Sequence, residues 1–493
     1  MGALHLNRLC RPGAAVLVIA LAIFVFVLGH APGRADETPL SISGNHFVNG
    51  SGETLQLVGV DRTSPEYACF YGYAYSNGPI DASDAGTIAA WHANAVRIPL
   101  NEDCWLGING QPSNADSPQP PLTQAGYQQA VEQYVSDLNA DGIYAILDLH
   151  WSAPGSVPAN GQRPLPDDHS EAFWESVASA FKSNPAVLFD AFNEPFSPAA
   201  NGNVNYPVDW SCWKNGGCEV PDANDQETVN GAQTYHAVGL QAIVDAIRST
   251  GARQPILLGG LSYANELKEW LTYEPADPDH QLAASFHNYE GEHCGTEECW
   301  NSTIASLAEH VPVVTGEFGE EACPVGGGDD PSDFDNRYMN WADQHGVGYL
   351  AWAWVELEQT EPCGSLFMLT ATGEPAEPNG AALHDHLAAL ALAAGTGPGS
   401  GGGSPQGGTP GGGSTNTGST TSATPTGVTS NTGKAVADLV PPKETLAQKL
   451  AKALRACKKQ KSKHKRLECE KAASKKYKPK PNKKHLQKKN GKK

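Results

Sequence analysis

The chain has 493 residues, 40% of them hydrophobic, and a net charge of -20. That charge joins two opposed parts: residues 443–493 hold 21 Lys and Arg against 3 Asp and Glu, and the remainder holds 13 basic against 51 acidic residues. Such asymmetry excludes one uniform module and implies separate parts with separate partners. Beyond the N-terminal segment no stretch is long and apolar enough to cross a bilayer, which excludes a multi-span membrane protein.

In chain order, Arg8 and Arg11 precede an almost wholly apolar run over 14–28, and Gly33-Arg34-Ala35 offers small residues for cleavage. The run is short for a membrane span, so residues 1–35 are expected to be a cleaved secretory signal. The mature protein is expected outside the cell, with the cell surface as a second location. The cysteines fit export. Of 11, Cys10 leaves with the signal, and the other ten fall in close neighbours: Cys69 and Cys104, Cys212 and Cys218, Cys294 and Cys299, Cys323 and Cys363, Cys457 and Cys469. An even set in an exported chain points to disulfides paired by proximity. No tight cluster of Cys and His has a zinc spacing, so no metal is expected.

Short apolar runs follow at 55–60, 95–100, 144–149, 187–192, 255–258, 282–286, 311–315 and 348–352. Parallel strands buried on both faces read as such continuous runs. Helical stretches separate them. One spans 123–140, with Thr123 as its cap and Gly142 as its stop; another spans 231–249, with Tyr235, Val238, Ile243, Val244 and Ile247 on one side. Eight strands alternating with helices predict an α/β fold, a (β/α)8 TIM barrel over residues 40–394. The span exceeds the ordinary ~250 residues of such a barrel, so long loops are expected on the active face, at 104–122 and 196–227. An open doubly wound sheet is the alternative; no Gly-rich phosphate turn follows the first strand. Residues 395–442 read as a flexible linker rich in Gly, Ser, Thr and Pro. The basic tail, 443–493, opens with helical spacing at Leu446, Leu450 and Leu454 and ends too charged to fold alone.

The chemistry sits at the strand ends. The fourth run closes Phe192-Asn193-Glu194-Pro195, and the seventh closes Thr315-Gly316-Glu317-Phe318-Gly319. Two carboxylates on facing strands of a barrel suit glycoside hydrolysis, one protonating the leaving oxygen while the other attacks or activates water. Arg97 lies inside the second run, where a charge is costly unless paired, and a carboxylate, Glu317, is the natural partner. The third run ends at His150-Trp151, the sixth at His287-Asn288-Tyr289, and the eighth at Trp352-Ala353-Trp354. Together they describe a polar and aromatic rim. Trp354, Trp105, Trp151 and Trp300 are offered as sugar-stacking rings, and Trp352 as core.

These residues resemble glycoside hydrolase family 5, the retaining endoglucanase-like branch of barrel glycosidases, over nearly all of 40–394. The motifs occur in order: Arg97, His150, Asn193-Glu194-Pro195, His287-x-Tyr289, Glu317 and Trp354. The resemblance implies Glu194 as acid/base and Glu317 as nucleophile. It implies that Asn193 holds the sugar 2-hydroxyl, that Tyr289 and Arg97 position Glu317, and that His150 and His287 line the same subsite. It implies no cofactor. The chain departs at Ala191, where a larger residue is common. The expected activity is hydrolysis of β-1,4-glucan with retention. The rivals are β-mannanase, xyloglucanase and β-1,3-glucanase on the same fold, and a non-catalytic glycan-binding protein, which would lack one of the two glutamates.

A monomer acting on polysaccharide is expected. The tail has one aromatic residue, Tyr477, and so lacks a platform for cellulose. Its charge suits a polyanionic cell-envelope polymer, held by salt-sensitive attraction. Lys458 to Arg466 has the look of a nucleic-acid patch, but export makes nucleic acid an unexpected partner.

Overall fold

The structure, a computed structural model, describes residues 39–198, 206–223, 233–320, 333–356, 366–370 and 372–394, with Lys465 and Lys476. The expected signal, the linker, the helix from Leu446 and the cysteine pairs 323/363 and 457/469 lie outside the described residues. The chain divides into two units, 1–403 and 404–493, and the first holds every strand and helix described below.

Eight parallel strands close a barrel: β1 (Val58–Asp61), β2 (Ala95–Asn101), β3 (Tyr144–Trp151), β4 (Val187–Asp190), β5 (Ile256–Gly259), β6 (Leu282–Tyr289), β7 (Val313–Gly319) and β8 (Gly348–Ala351). Each pairs with the next, and β8 pairs with β1. The expected (β/α)8 barrel is therefore the fold. Every expected run supplies its strand, with ends shifted by a few residues.

The barrel interior is layered by the two-residue period of a strand. At the N-terminal ends, Leu57, Ala95, Tyr144, Ile146, Leu188, Leu257, Ala283, Val314 and Leu350 form one apolar cluster. A hairpin of Leu40–Ser43 and His46–Asn49 adds Leu40 and Phe47 to that cluster and stoppers this end. Further up five of the strands the inward positions turn polar: Asp61, Arg97, Asp148, Asp190 and Ser285, all fully buried. Another step reaches His150 and His287. A second apolar core fills the space between strands and outer helices.

The outer elements follow local rules unevenly. Helix Gln124–Ala140 starts where Thr123 accepts from the Gly126 N–H, and Gly142 beyond its end takes a positive φ of 79°. The expected helix over 231–249 is shorter, Leu240–Ser249; Thr234–His236 instead forms a strand antiparallel to Glu219–Pro221. Gly239 is the reason. Its backbone is extended and lies against Asn215 and Gly216 with no room for a side chain, so the chain crosses there before it can coil.

Three expected disulfides form: Cys69–Cys104, Cys212–Cys218 and Cys294–Cys299. Each pins loops on the C-terminal face, joining the segments after β1 and β2, within the loop after β4, and within the loop after β6. No helix among the described residues is long and apolar enough to cross a membrane.

Candidate active site

Arg97 organises the upper barrel. Its Nε donates to Asp190 Oδ2 at 2.9 Å, Nη1 to Asp61 Oδ1 at 3.0 Å and to Glu317 Oε1 at 2.9 Å, and Nη2 to Asn193 Oδ1 at 2.8 Å. Asp148 Oδ2 lies 3.1 Å from Nη2. The expected pairing with Glu317 is present, but three further buried carboxylates, from β1, β3 and β4, share the same guanidinium. One cation against four carboxylates cannot neutralise all of them. Burial pushes Asp148 and Asp190 up to about 7, and Asp61 well above the usual range, against the lowering pull of Arg97. Burial works against the charge on Arg97; Asp148, Asp190, Asp61 and Glu317 outweigh it and hold the guanidinium charged.

Glu317 faces inward because of a bulge. The register between β6 and β7 runs Phe286 with Thr315, then His287 with Glu317, so Gly316 is the extra residue. An unbroken alternation from inward Val314 would aim Glu317 outward; the bulge re-aims it. Only glycine fits there, since a Cβ would sit 2.9 Å from both His287 Nε2 and Ser285 Oγ. Glu317 is nearly buried, and its Oε2 accepts from the Tyr289 hydroxyl at 2.6 Å. Burial, then the charge of Glu317, holds the Tyr289 phenol protonated far above its ordinary range, so it remains a donor.

Glu194 stands past the end of β4 and is partly exposed, with 15% of its side chain open. His287 Nδ1 meets Oε1 at 2.9 Å, and Gln162 Nε2 donates to Oε2 at 2.9 Å. Burial lowers His287 to about 3, so it faces Glu194 as a neutral ring. The backbone behind is held by the loop after β5: Tyr263 N–H donates to Pro195 O, and Ala264 O accepts from His287 N–H, each at 3.0 Å. Ser262, Tyr263 and Ala264 all take positive φ, from 55° to 61°.

The two glutamates converge. One oxygen of Glu194, one of Glu317 and a nitrogen of His287 lie within 4.8 Å of one another. Among the described residues this is the set whose donor atoms come close enough to hold a metal ion. Arg97 on one oxygen of Glu317 and Tyr289 on the other already supply the positive and hydrogen-bonding partners there.

His150 donates or accepts at Asp148 Oδ2, 2.7 Å away, and its ring lies parallel to Trp352 at 5.5 Å. Burial lowers its pKa. Trp352 is half-buried and continues the inward parity of Leu350, so it is the tryptophan of β8 that faces the cleft. This corrects the expectation for Trp354. Trp354 is 2% exposed; it donates to Asp84 Oδ1 at 2.9 Å and packs edge-on against Trp91. Its backbone N–H still bonds the end of β1, at Asp61 O. Trp105 and Trp300 are buried too, bonded to Ser176 and Cys294 O. Trp151 remains half-exposed among Tyr67, Phe70 and Tyr71.

Of the expected residues, Arg97, His150, Asn193, Glu194, His287, Tyr289 and Glu317 thus share one cleft. Asp61, Asp148 and Asp190 join them without having been expected, although the criterion that singles out Arg97, a charge in an apolar strand, also fits them. Gln162 and Glu292 lie in loops with no such pattern. Glu292 is driven up to about 7 by burial and then by Glu194.

Residues 48–357 match the model of the cellulase family, glycosyl hydrolase family 5. An endoglucanase of Halalkalibacter akibai is 23% identical over 56% of this chain and 31% of its own length, so the chain spans about a third of that relative. A mannan endo-1,4-beta-mannosidase of Streptomyces lividans is 23% identical over 69% of this chain and 73% of its own. A solved beta-glucanase from Saccharophagus degradans has the same fold, with a TM-score of 0.52 and 20% identity over 72% of this chain and 94% of that one. With the family model matched over most of the chain, the protein belongs to glycosyl hydrolase family 5.

Proposed function

We propose that the protein is a retaining β-glycanase acting on β-1,4-glucan, with Glu317 as nucleophile and Glu194 as acid/base. The observation that carries this is the closeness of the two carboxyls, with oxygens within 4.8 Å. Retaining enzymes set them about 5–5.5 Å apart, inverting ones about 6.5–9.5 Å to seat a water.

In the first step Glu317 attacks the anomeric carbon as the glycosidic bond breaks, and Glu194 gives its proton to the departing oxygen. Arg97 and Tyr289 hold Glu317 in line for that attack. In the second step Glu194 takes a proton from water, whose oxygen bonds to the anomeric carbon as the ester to Glu317 breaks. The half-buried ring of Trp352, parallel to His150, offers a face to the sugar. β-Mannan is the second reading, favoured by the broad coverage of the mannosidase relative; xyloglucan and β-1,3-glucan complete the panel.

Glu317→Ala and Glu194→Ala, assayed on carboxymethyl-cellulose, mannan, xyloglucan and β-1,3-glucan, test the roles. Undiminished hydrolysis by either variant removes that assignment. The reading includes secretion, with the tail (443–493) binding polyanionic envelope polymer. Deleting 434–493 is expected to spare activity on soluble substrate and to reduce retention on cells at low salt; unchanged retention removes the adhesion idea.

A further inference from the structure

We infer that Gln162 is a positioning residue that sets the protonation of Glu194 and ties it to the clamp on Glu317. This rests on the acid/base role proposed for Glu194.

Gln162 lies in the loop after β3 and is 8% exposed. Its Oε1 accepts from Asn193 Nδ2 at 2.7 Å, and its Nε2 donates to Glu194 Oε2 at 2.9 Å. The partners fix the orientation of the amide: a flipped group would oppose N–H to N–H and oxygen to carboxylate. Asn193 is fixed in turn, because its Oδ1 accepts from Arg97 Nη2 at 2.8 Å. The donors therefore run one way, from Arg97 through Asn193 and Gln162 to Glu194. The same guanidinium donates to Glu317. The two glutamates are joined by a directed chain of hydrogen bonds, with Gln162 its last link.

The loop is built to hold this link still. The neighbouring Arg163 is buried and bonded to Asp222 Oδ1 and Asn160 Oδ1, each at 2.9 Å. Pro164 O accepts from Phe196 N–H at 3.0 Å, which fastens the loop to the segment carrying Glu194.

A donor on a carboxylate favours its ionised form. That is the form Glu194 needs as base in the second step. Other groups facing Glu194 are His287 and Tyr289 from β6, Glu292 from the loop beyond, Glu317 from β7, and Asp148 and His150 from β3. His287 is likewise uncharged and sits on Oε1; Gln162 is the partner of Oε2, with its direction fixed by Asn193.

The test is the pH profile of kcat/KM for Gln162→Leu and Gln162→Glu, with thermal midpoints confirming that both fold. The alkaline limb reports the acid in the free enzyme. Leucine removes the donor, so the limb moves up by about one pH unit, the equivalent of a hydrogen bond to a charged group. Glutamate keeps an acceptor for Asn193 but adds a like charge, so the limb moves further while activity at low pH stays nearer the parent's. If activity falls in both variants and neither limb moves, Gln162 is merely structural and the inference is overturned. Full activity in Glu194→Ala would instead remove the reading beneath it.

Discussion

The lower and upper halves of the barrel are made by the same eight strands and obey opposite rules. Below, the inward side chains are Leu57, Ile146, Leu188, Leu257, Val314 and Leu350, which form a sealed apolar plug. Above, further along the strands, they are Asp61, Arg97, Asp148 and Asp190, equally sealed and held by a single guanidinium. The lower half stabilises by burial. The upper half is costly to bury, and its return is a fixed position for Glu317. Stability and chemistry are thus separated along the strand axis.

The largest effect that would break this separation lies at the top. Glu194→Ala is expected to lower kcat on polysaccharide by about 10²–10⁴-fold, the usual reach of a positioned acid/base, with the thermal midpoint little changed. A steady-state assay beside a melting curve checks it. Next, the two halves can be compared directly by denaturant unfolding. Arg97→Leu strands four carboxylates and is expected to cost about 3–5 kcal/mol and to abolish activity. Leu350→Ala, fully buried in the plug, is expected to cost about 2–5 kcal/mol while the folded enzyme keeps its kcat. Loss of kcat in Leu350→Ala would contradict the division, and a stable Arg97→Leu would contradict the hold of the guanidinium on the four carboxylates.

A smaller effect comes from pH. Asp148 and Asp190 titrate near 7 when folded, against an ordinary value of about 3.9. The folded state therefore binds more protons than the unfolded one between these values. Their contribution to stability is full below pH ~4 and is lost as pH rises through about 7. Melting curves across that window should show the fall, and Asp148→Asn should flatten it. Smallest is the contrast of the two tryptophans after β8. Trp352→Ala should lower kcat/KM with the fold intact. Trp354→Phe loses its bond to Asp84, about 1 kcal/mol, with kinetics unchanged.

The strands were legible because each is buried on both faces and so reads as an unbroken apolar run. The glutamates were legible because they directly follow such runs. What escaped detection depended on relations across the barrel. Asp148 stands in the segment Leu147-Asp148-Leu149-His150, yet its importance comes from meeting Arg97, 51 positions earlier in the chain. Trp352 and Trp354 have the same local look, and only the end of β8 at Ala351 decides which enters the cleft. The false start of the helix over 231–249 had the right apolar spacing; the packing of Gly239 against another loop overruled it. Gln162 sits in a polar loop where any residue type would pass without notice.

The most direct test of the two-glutamate account is NMR of the first product released from a β-1,4-glucan oligosaccharide. The β-anomer appearing first, with the α-anomer growing in only by mutarotation, is the predicted result. An α-anomer at the outset would mean inversion and would contradict direct attack by Glu317.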